Sequence, residues 1–469
     1  MAAPLDNPVF GLIGRTAAEC GARAYVIGGF VRDHFLGRPC CDIDVVVTGS
    51  GVQVAERLGE RLGVKVSTFK NFGTAMLRYR GLEIEFVGAR KESYRADSRK
   101  PVVEDGTLED DQNRRDFTIN AMAFSLNEND FGELVDPFGG IGDLKAGIIR
   151  TPLDPDTTFS DDPLRMVRAI RFATQLGMTV TAECIEAIRR NRERIAIISR
   201  ERITAETEKI IMSQRPSRGF FLFDKTGLLE LVYPDLYRLK GVEKRGGRAH
   251  KDNFVHTLKV LDNVAAAGGD EWLRWAALLH DIAKPRTKSW DDRVGWTFHN
   301  HEFVGARMVK GIFKAWRLPL DHKMRFVEKM VLLHLRPIAL VEDEVTDSAV
   351  RRLLFDAGDD IEPLMTLCRA DITSGDDRKV ARYLRNFDTV ESKMRQIEEK
   401  DRIRNFQPPI SGELIMRTYG IEPCSAVGQI KNAIKDAILD GRIANDYDEA
   451  YRLMTELAAE IIPDKKPLA

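Results

Sequence analysis

The hydrophobic period of this chain changes near residue 150, and one regular architecture cannot serve both sides of that change. Before it, short runs alternate in kind. A helical stretch, Val9–Cys20, leads to the apolar run Ala24–Ile27 and then Gly28-Gly29; a short helical pattern, Val31–Leu36, ends at Gly37. Asp42–Val47 is strongly β-type, Val52–Leu62 reads as a helix, and Ala75–Tyr79 with Leu82–Val87 predicts a hairpin turning at Arg80-Gly81. Residues 88–113 are polar and charged and read as a long mobile loop, which inside a compact domain is commonly functional. From about residue 151, apolar positions recur at helical spacing, as in Leu164–Leu176, Cys184–Ile188 and Ala205–Ile211. The expected fold class is α+β, a small mixed sheet domain followed by a long all-α region.

A chain of 469 residues exceeds one ordinary core. The expected division is a sheet head over 1–150, a helical neck over 151–245, a second helical block over 246–375 and a helical tail over 376–469 with a loop at Pro408-Pro409. The Gly- and Arg-rich break Lys244-Arg245-Gly246-Gly247-Arg248 marks the middle boundary, and seven of the eight histidines follow it. No apolar run is long enough to span a bilayer, and the N-terminus lacks the basic flank of a signal peptide. Six cysteines without CxxC spacing fit reduced thiols, so the expected location is the cytoplasm. With a net charge of −1, a nucleic-acid partner would be held by local basic patches rather than a global field.

Asp42-Ile43-Asp44 opens a β run, so its two carboxylates point to one face. Side by side they repel unless cations lie between them, which suits hard divalent ions such as Mg²⁺ held by oxygen. Two such ions can activate a 3′-hydroxyl and stabilise a leaving pyrophosphate. The spacing alone is common among surface carboxylates, so context decides. Upstream, a strand ends at Gly28-Gly29 and a short helix follows, a turn whose N–H groups can approach phosphate closely. Downstream, Glu85 on the hairpin is a candidate third carboxylate, and Glu83 shares its face.

Gly28-Gly29-Phe30-Val31-Arg32-Asp33, Leu36-Gly37 and Asp42-Ile43-Asp44 together resemble the first motif of the class II tRNA nucleotidyltransferases and bacterial poly(A) polymerases. Arg114 to Met122 (RRDFTINAM) resembles their second motif, and Asp136-Pro137-Phe138-Gly139-Gly140 with Asp143-Leu144 their third. Asp161-Asp162-Pro163-Leu164-Arg165 with Arg168-Ala169-Ile170-Arg171-Phe172 resembles the fourth, where the family often has Glu in place of Asp161; Glu201-Arg202-Ile203 resembles the fifth. The resemblance implies a polymerase-β-like head, two Mg²⁺ ions at Asp42 and Asp44, tRNA as partner, and CTP and ATP as substrates. It implies nucleotide binding by Gly28, Gly29, Arg32, Arg115, Asp116, Asn120, Asp162, Arg165, Arg168 and Arg171. Arg115 and Asp116 would bind ribose and phosphates; the plainer alternative is an Arg–Asp pair capping a helix over Phe117–Phe124.

Asp162 and Arg165, three apart on a helix, share a face. Cytosine and adenine each offer an amino donor beside a ring-nitrogen acceptor, which Asp and Arg complement; uracil and guanine reverse the pattern. The resemblance assigns base reading to this pair, against the ordinary surface ion pair. Arg189, Arg190, Arg192, Arg194, Arg200 and Arg202 form a basic stretch suited either to acceptor-stem phosphates or to a solvated helix face.

His256, His280-Asp281, His301, His334 and Asp371 follow in the order of the HD-type metal phosphohydrolases, which that order resembles. His and Asp together suit a divalent transition metal. His250 and His299 are poorer candidates, and His34 and His322 read as surface. The leading reading is a CCA-adding enzyme. A poly(A) polymerase or a partial CC- or A-adding enzyme, an HD phosphohydrolase with a nucleotide-binding head, and a non-catalytic RNA-binding module stand beside it. Asn71-Phe72-Gly73-Thr74-Ala75-Met76 lacks the Gly-Arg-Arg-Phe-like stretch of the poly(A) polymerases, and 88–113 is not shortened as in CC-adding relatives. Both favour full CCA addition. The tail, Gly428 through Asn445, resembles family tails that meet the tRNA elbow. Cys424 stands where relatives often have Gly, so a different turn is expected there.

Overall fold

The computed structural model describes residues 5–69, 73–95, 98–342, 346–373, 376–401 and 408–467. Asn71 and Phe72 of the segment weighed against poly(A) addition lie outside them. The chain forms two compact units, Met1–Tyr237 and Arg238–Ala469.

The first unit begins with α1 (Pro8–Glu19), β1 (Ala24–Ile27), α2 (Gly29–Phe35), β2 (Asp42–Val47), α3 (Gly51–Leu62), β3 (Val66–Phe69), β4 (Thr74–Tyr79) and β5 (Leu82–Gly88). Then come β6 (Arg90–Arg95), β7 (Ser98–Asp105), α4 (Leu108–Asn113), β8 (Ala123–Ser125), β9 (Leu134–Val135) and α5 (Gly140–Ala146). One sheet runs in the order β3-β4-β5-β2-β1-β8-β9. Only β2 and β5 pair in parallel; the other neighbours are antiparallel. Along β2, Ile43, Val45 and Val47 are buried on one face while Asp42 and Asp44 emerge on the other. Beyond the carboxylates, Val46 closes that second face in a cluster with Tyr25, Ile27, Ala89 and Ala123. Ser50 caps α3 by accepting from the Gln53 N–H, and Gly63 ends it in the left-handed region, φ 64°.

Three local expectations are corrected. Residues 88–113 are not a loop: β6 and β7 form their own hairpin, and a Thr107–Asp110 capping box starts α4. The hairpin's register sets Arg90 opposite Asp105 and Lys91 opposite Glu104, pairs of opposite charge that hydrophobic periodicity does not register. No helix spans Phe117–Phe124; a single 3₁₀ turn, Thr118–Asn120, precedes β8, which pairs with β1. His34 is not simply a surface residue: its ring lies 5.2 Å from Phe35 and 6.0 Å from Phe124, with Nε2 buried.

The rest of the unit includes α6 (Pro155–Asp161), α7 (Leu164–Leu176), α8 (Ala182–Asn191) and α9 (Arg200–Ile211). The second unit is helical apart from two small hairpins, 244–249 and 289–297. Cys424 has extended backbone, φ −149°, and precedes a helix over Ser425–Leu439, so that position makes no demand for glycine. Among the described residues all six cysteines are free, and no helix is long and apolar enough to cross a membrane.

Candidate active site

The parallel register of β2 and β5 sets Asp42 beside Glu83 and Asp44 beside Glu85, so four carboxylates emerge on one face. They floor a cleft of about 550 Å³ that also takes in Gly28, Gly29, Arg32, Arg115, Asp116, Asn120, Arg168 and Arg171. Burial raises the pKa of Asp44; Asp42 raises it further and Arg115 opposes. The Asp44 carboxylate is reachable by solvent along the strand, yet the cleft walls crowd it. Glu85 is raised in the same way, by burial and then by Asp44. Carboxylates whose charged forms are disfavoured by one another suit divalent cations held by oxygen. The lining supports that fit: four arginines face five carboxylates, Asp116 included, so a triphosphate would meet no net positive charge without cations.

Gly28 has φ +81°, and a Cβ there would come within 3.0 Å of Arg115 Nη1 and 3.5 Å of Asp44 Oδ2. Glycine is therefore required both by the backbone and by the close approach of the two charged groups. The arginines are tethered. Arg32 Nη1 donates to Asn120 Oδ1 at 2.8 Å, and its other edge is held by Asp33. Arg115 pairs not with Asp116 but with fully buried Asp111, at 3.1 Å; Asp111 also holds Arg114. Asp116 Oδ1 accepts from Phe117 N at 2.9 Å and Asn120 Nδ2 at 3.0 Å, and Oδ2 accepts from Arg168 Nε at 2.7 Å. Arg168 Nη2 also lies 2.6 Å from Oδ2, so the roughly four acceptor sites of this carboxylate are already met by protein groups. Burial opposes the charged form of Asp116, but Arg168 and Asn120 prevail and hold its pKa at about 2. Glu206 on α9 meets Arg171 at 3.1 Å and Arg168 at 3.8 Å, and burial lowers Arg171 to about 10. The Phe172 ring collects three guanidinium groups, Arg171 at 4.0 Å, Arg32 at 5.2 Å and Arg168 at 5.3 Å.

Asp162 and Arg165 line an adjoining cavity of about 420 Å³ that shares Arg115, Asp116 and Arg168 with the first. Asp162 is not on the helix with Arg165. It sits in extended backbone between α6 and α7, accepting from Leu164 N at 3.1 Å, with Arg202 4.0 Å away. Arg165 is buried, and its guanidinium donates to the carbonyls of Arg114 at 2.7 Å and Thr158 at 3.3 Å. The basic stretch is tethered but stays at the surface: Arg189 meets Lys225 O, Arg190 meets Asp156, Arg194 meets Ser160 O and Arg200 meets Val232 O, with Arg189, Arg190 and Arg200 exposed.

In the second unit, five helices bring His256, His280, Asp281, His301, His334 and Asp371 together. Two groups, His256–His280–Asp371 and Asp281–His301–His334, each hold their ligand atoms within 4.8 Å. Nδ1 of His280, His301 and His334 contacts the carbonyl three residues earlier, of Ala277, Phe298 and Val331, at 2.7 Å each. A carbonyl only accepts, so each Nδ1 carries the proton and Nε2 of a neutral ring presents a lone pair. All three Nε2 atoms are buried around the Asp281 carboxylate, those of His280 and His301 at 3.2 Å and that of His334 at 3.9 Å, a mixed nitrogen and oxygen donor set that fits a divalent ion. Burial disfavours charge on His280, yet Asp281 and Asp371 outweigh it and push the ring up to about 10, so an ion taking Nε2 would displace a proton shared with those carboxylates. Burial and then His280 push His334 down to about 4. His322 is exposed, and His250 packs on Trp296, away from the cluster.

The family model of the poly(A) polymerase head domain matches residues 24–150, that of the probable RNA- and SrmB-binding site of polymerase A matches 177–239, and that of the HD domain matches 253–376. The A-adding tRNA nucleotidyltransferase of Aquifex aeolicus is 40% identical over 351 residues, 69% of this chain and 42% of its own length. The multifunctional CCA protein of Methylococcus capsulatus is 33% identical over 371 residues, 74% of this chain and 81% of its own length. This chain belongs to the tRNA nucleotidyltransferase family. It spans less than half the length of the Aquifex relative. A solved CCA-adding enzyme, in an apo form, shares the fold with a TM-score of 0.65 at 25% identity, over 97% of this chain and 96% of that one.

Within this nucleotidyltransferase framework, sequence reasoning passed over Asp111 and Glu206, the carboxylates that aim Arg115, Arg168 and Arg171. Asp111 carried a signal, since it stands three and four residues before the arginine pair; Glu206 carried none, because it approaches from a separate helix. The third motif is structural here. Asp136 accepts from the N–H groups of Gly140 and Ile141, while buried Asp143 accepts from Thr118 Oγ1 and pairs with Arg150.

Proposed function

We propose that this nucleotidyltransferase adds CMP and AMP from CTP and ATP to tRNA 3′ ends and completes CCA, acting in the cytoplasm. The observation that carries the reading is the register that sets Asp42 and Asp44 beside Glu83 and Glu85 on the floor of an arginine-lined cleft. Asp42 and Asp44, with Glu85, would hold two Mg²⁺ ions, which supply activation of the 3′-hydroxyl and charge stabilisation of the pyrophosphate. Arg32, Arg115, Arg168 and Arg171 receive the triphosphate. Asp116 keeps Arg168 in place, and a ribose hydroxyl would share its Oδ2 with the Arg168 fork. In the adjoining cavity Asp162 accepts from the amino group of C or A and Arg165 donates to the ring nitrogen. U and G would leave both groups unsatisfied, worth roughly 10²-fold in selection. Arg165 is tied to two backbone carbonyls, so this protein template is rigid. In the same reading the first unit comprises head and neck, and the second an HD domain and a tail that meets tRNA.

The test is purified chain with tRNA transcripts ending before CCA, after C or after CC, and each nucleotide separately. Completion of all three substrates supports the reading. Long homopolymeric A tails support a poly(A) polymerase instead, and arrest after CC or activity only on the CC-ended transcript supports a partial enzyme.

The convergence of the Nε2 atoms of His280, His301 and His334 on Asp281 favours a second activity beside the first. The cluster would hold a divalent transition metal and serve phosphoester hydrolysis. Phosphate release from nucleotide monophosphates and cyclic phosphates, lost in His280→Ala, is its assay.

A further inference from the structure

Lys244–Arg248, which reads in sequence as a break, is built structure. Residues 244–245 and 248–249 pair as a tight turn, with Gly246 and Gly247 at φ 55° and 75°. A second hairpin, Ser289–Asp291 with Gly295–Thr297, packs beside it and carries two half-buried tryptophans. Trp290 and Trp296 are cross-strand partners whose rings meet edge to face at 5.2 Å. Cations interleave with them. The Arg245 guanidinium lies 5.1 Å from the Trp290 ring centre, and the Lys288 ammonium 4.3 Å from that of Trp296. Lys288 is held there by Glu243 at 2.7 Å and His250 at 2.8 Å, and His250 packs edge-on against Trp296 at 5.7 Å. Nε1 of Trp296 is buried with no hydrogen-bond partner, and Val294 at the hairpin tip is 69% exposed. Over 243–251 and 284–293 there are eight Lys or Arg against three Asp or Glu, in a chain whose net charge is −1.

From this juxtaposition we infer that the paired hairpins, 244–249 and 289–297, form a platform for single-stranded RNA. A base stacks on Trp290 as Arg245 moves from its ring to a backbone phosphate, while Trp296, covered by Lys288, braces the platform. Aromatic faces interleaved with cations are how sequence-tolerant single-strand binding is built, because every base has a π-face while a duplex keeps its bases stacked out of reach. An acidic protein partner would use the cations but not the indoles. The platform leads toward the histidine cluster. The Phe298 carbonyl that fixes His301 directly follows the hairpin strand, and Lys284 spans from the Phe298 ring, 5.7 Å away, to Asp281 at 2.6 Å. Binding at the platform does not depend on turnover at that cluster.

The probe is a fluorescein-labelled ten-nucleotide oligo(U) titrated into the full chain by anisotropy, with a 4-thiouridine version crosslinked and mapped by peptide mass. Crosslinks are expected within 244–251 and 288–298. Trp290→Ala and Arg245→Glu should each weaken binding about fivefold or more, and Trp290→Phe should recover most of the loss. Arg245→Glu should also flatten the salt dependence by about one phosphate contact. Far-UV circular dichroism should confirm each fold. Crosslinks confined to residues before 238, or parent-like affinity in both platform variants, would each overturn the inference. So would competition by polyglutamate as effective as unlabelled oligo(U), which would mark an acidic-protein site.

Discussion

Replacing Asp116 with Asn probes whether the nucleotide cleft is held together by one buried ion pair. Asp116 is 7% exposed and accepts from Phe117 N, Asn120 Nδ2 and Arg168 Nε. Asparagine keeps the volume and one oxygen for the first two donors, but it turns an amide donor toward the Arg168 guanidinium. Breaking a buried pair commonly costs about 3–5 kcal/mol. Here Glu206 stays 3.8 Å from Arg168, and the Arg168 side chain is 32% exposed, so the low end applies. The pKa gives a second scale. A fall from 3.8 to about 2 is a drop of about 1.8 units, worth about 2.4 kcal/mol at roughly 1.36 kcal/mol per unit. Asp116→Asn should therefore destabilise the Met1–Tyr237 unit by about 2–4 kcal/mol near neutral pH. Because the folded pKa is depressed, the stabilisation is full above the unfolded value of 3.8 and disappears as pH falls through about 2. The gap between parent and variant should be flat from pH 8 to 5 and should close between pH 4 and 2. Urea unfolding reads it out, since the five tryptophans, Trp272, Trp275, Trp290, Trp296 and Trp316, all lie in the Arg238–Ala469 unit. The far-UV circular dichroism change that tryptophan fluorescence does not share belongs to the other unit. A gap below about 0.5 kcal/mol at neutral pH, or one unchanged at pH 2.5, would refute the reasoning.

Asp44→Asn should lower nucleotide addition by on the order of 10²-fold or more, without loss of melting temperature, because burial and Asp42 already disfavour its charge; near-parent single-turnover rates would contradict the metal-site assignment. Asp162→Ala should keep CTP and ATP incorporation measurable while admitting UTP and GTP, and a variant still restricted to C and A would remove Asp162 from base reading. Cobalt(II) added to metal-free chain should give visible d–d absorption that His334→Ala abolishes, since Nε2 of His334 is one of the buried donors around Asp281; an identical spectrum from the variant would exclude His334 as a ligand.

Where side-chain alternation set the structure, the sequence was legible. Asp42–Val47 and the hairpin at Arg80-Gly81 stand as strands because their period is two and their turn carries a glycine at φ +82°. The β6–β7 hairpin was hidden because its register sets charged residues opposite one another at Arg90–Asp105 and Lys91–Glu104, which hydrophobic periodicity does not register. Phe117–Phe124 has helix-like spacing, but tertiary partners override it: Thr118 N donates to Arg150 O, Thr118 Oγ1 donates to Asp143, and Ala123–Ser125 is drawn onto the open edge of β1. In the cleft, the groups that would meet substrate were legible as motifs, whereas their tethers were not. Glu206 reaches Arg171 from another helix, and no local pattern announces such a contact.

Those tethers bear on how the cleft can discriminate. Arg32, Arg115, Arg168 and Arg171 are held by Asn120 with Asp33, by Asp111, by Asp116 and by Glu206 respectively. A free arginine loses up to about 2 kcal/mol of rotamer freedom when it binds a phosphate, and here that loss is taken largely at folding. The same carboxylates cancel much of the positive charge, so the cleft offers fixed donors without a strong field for anions in general. In the function proposed above, polyphosphate binding would then depend on cations held by Asp42 and Asp44, and base choice on Arg165, which two backbone carbonyls keep in place. A cleft of untethered arginines would bind any nucleotide more tightly and choose among them less well, because a mobile guanidinium can find an alternative partner where a fixed one is left unsatisfied.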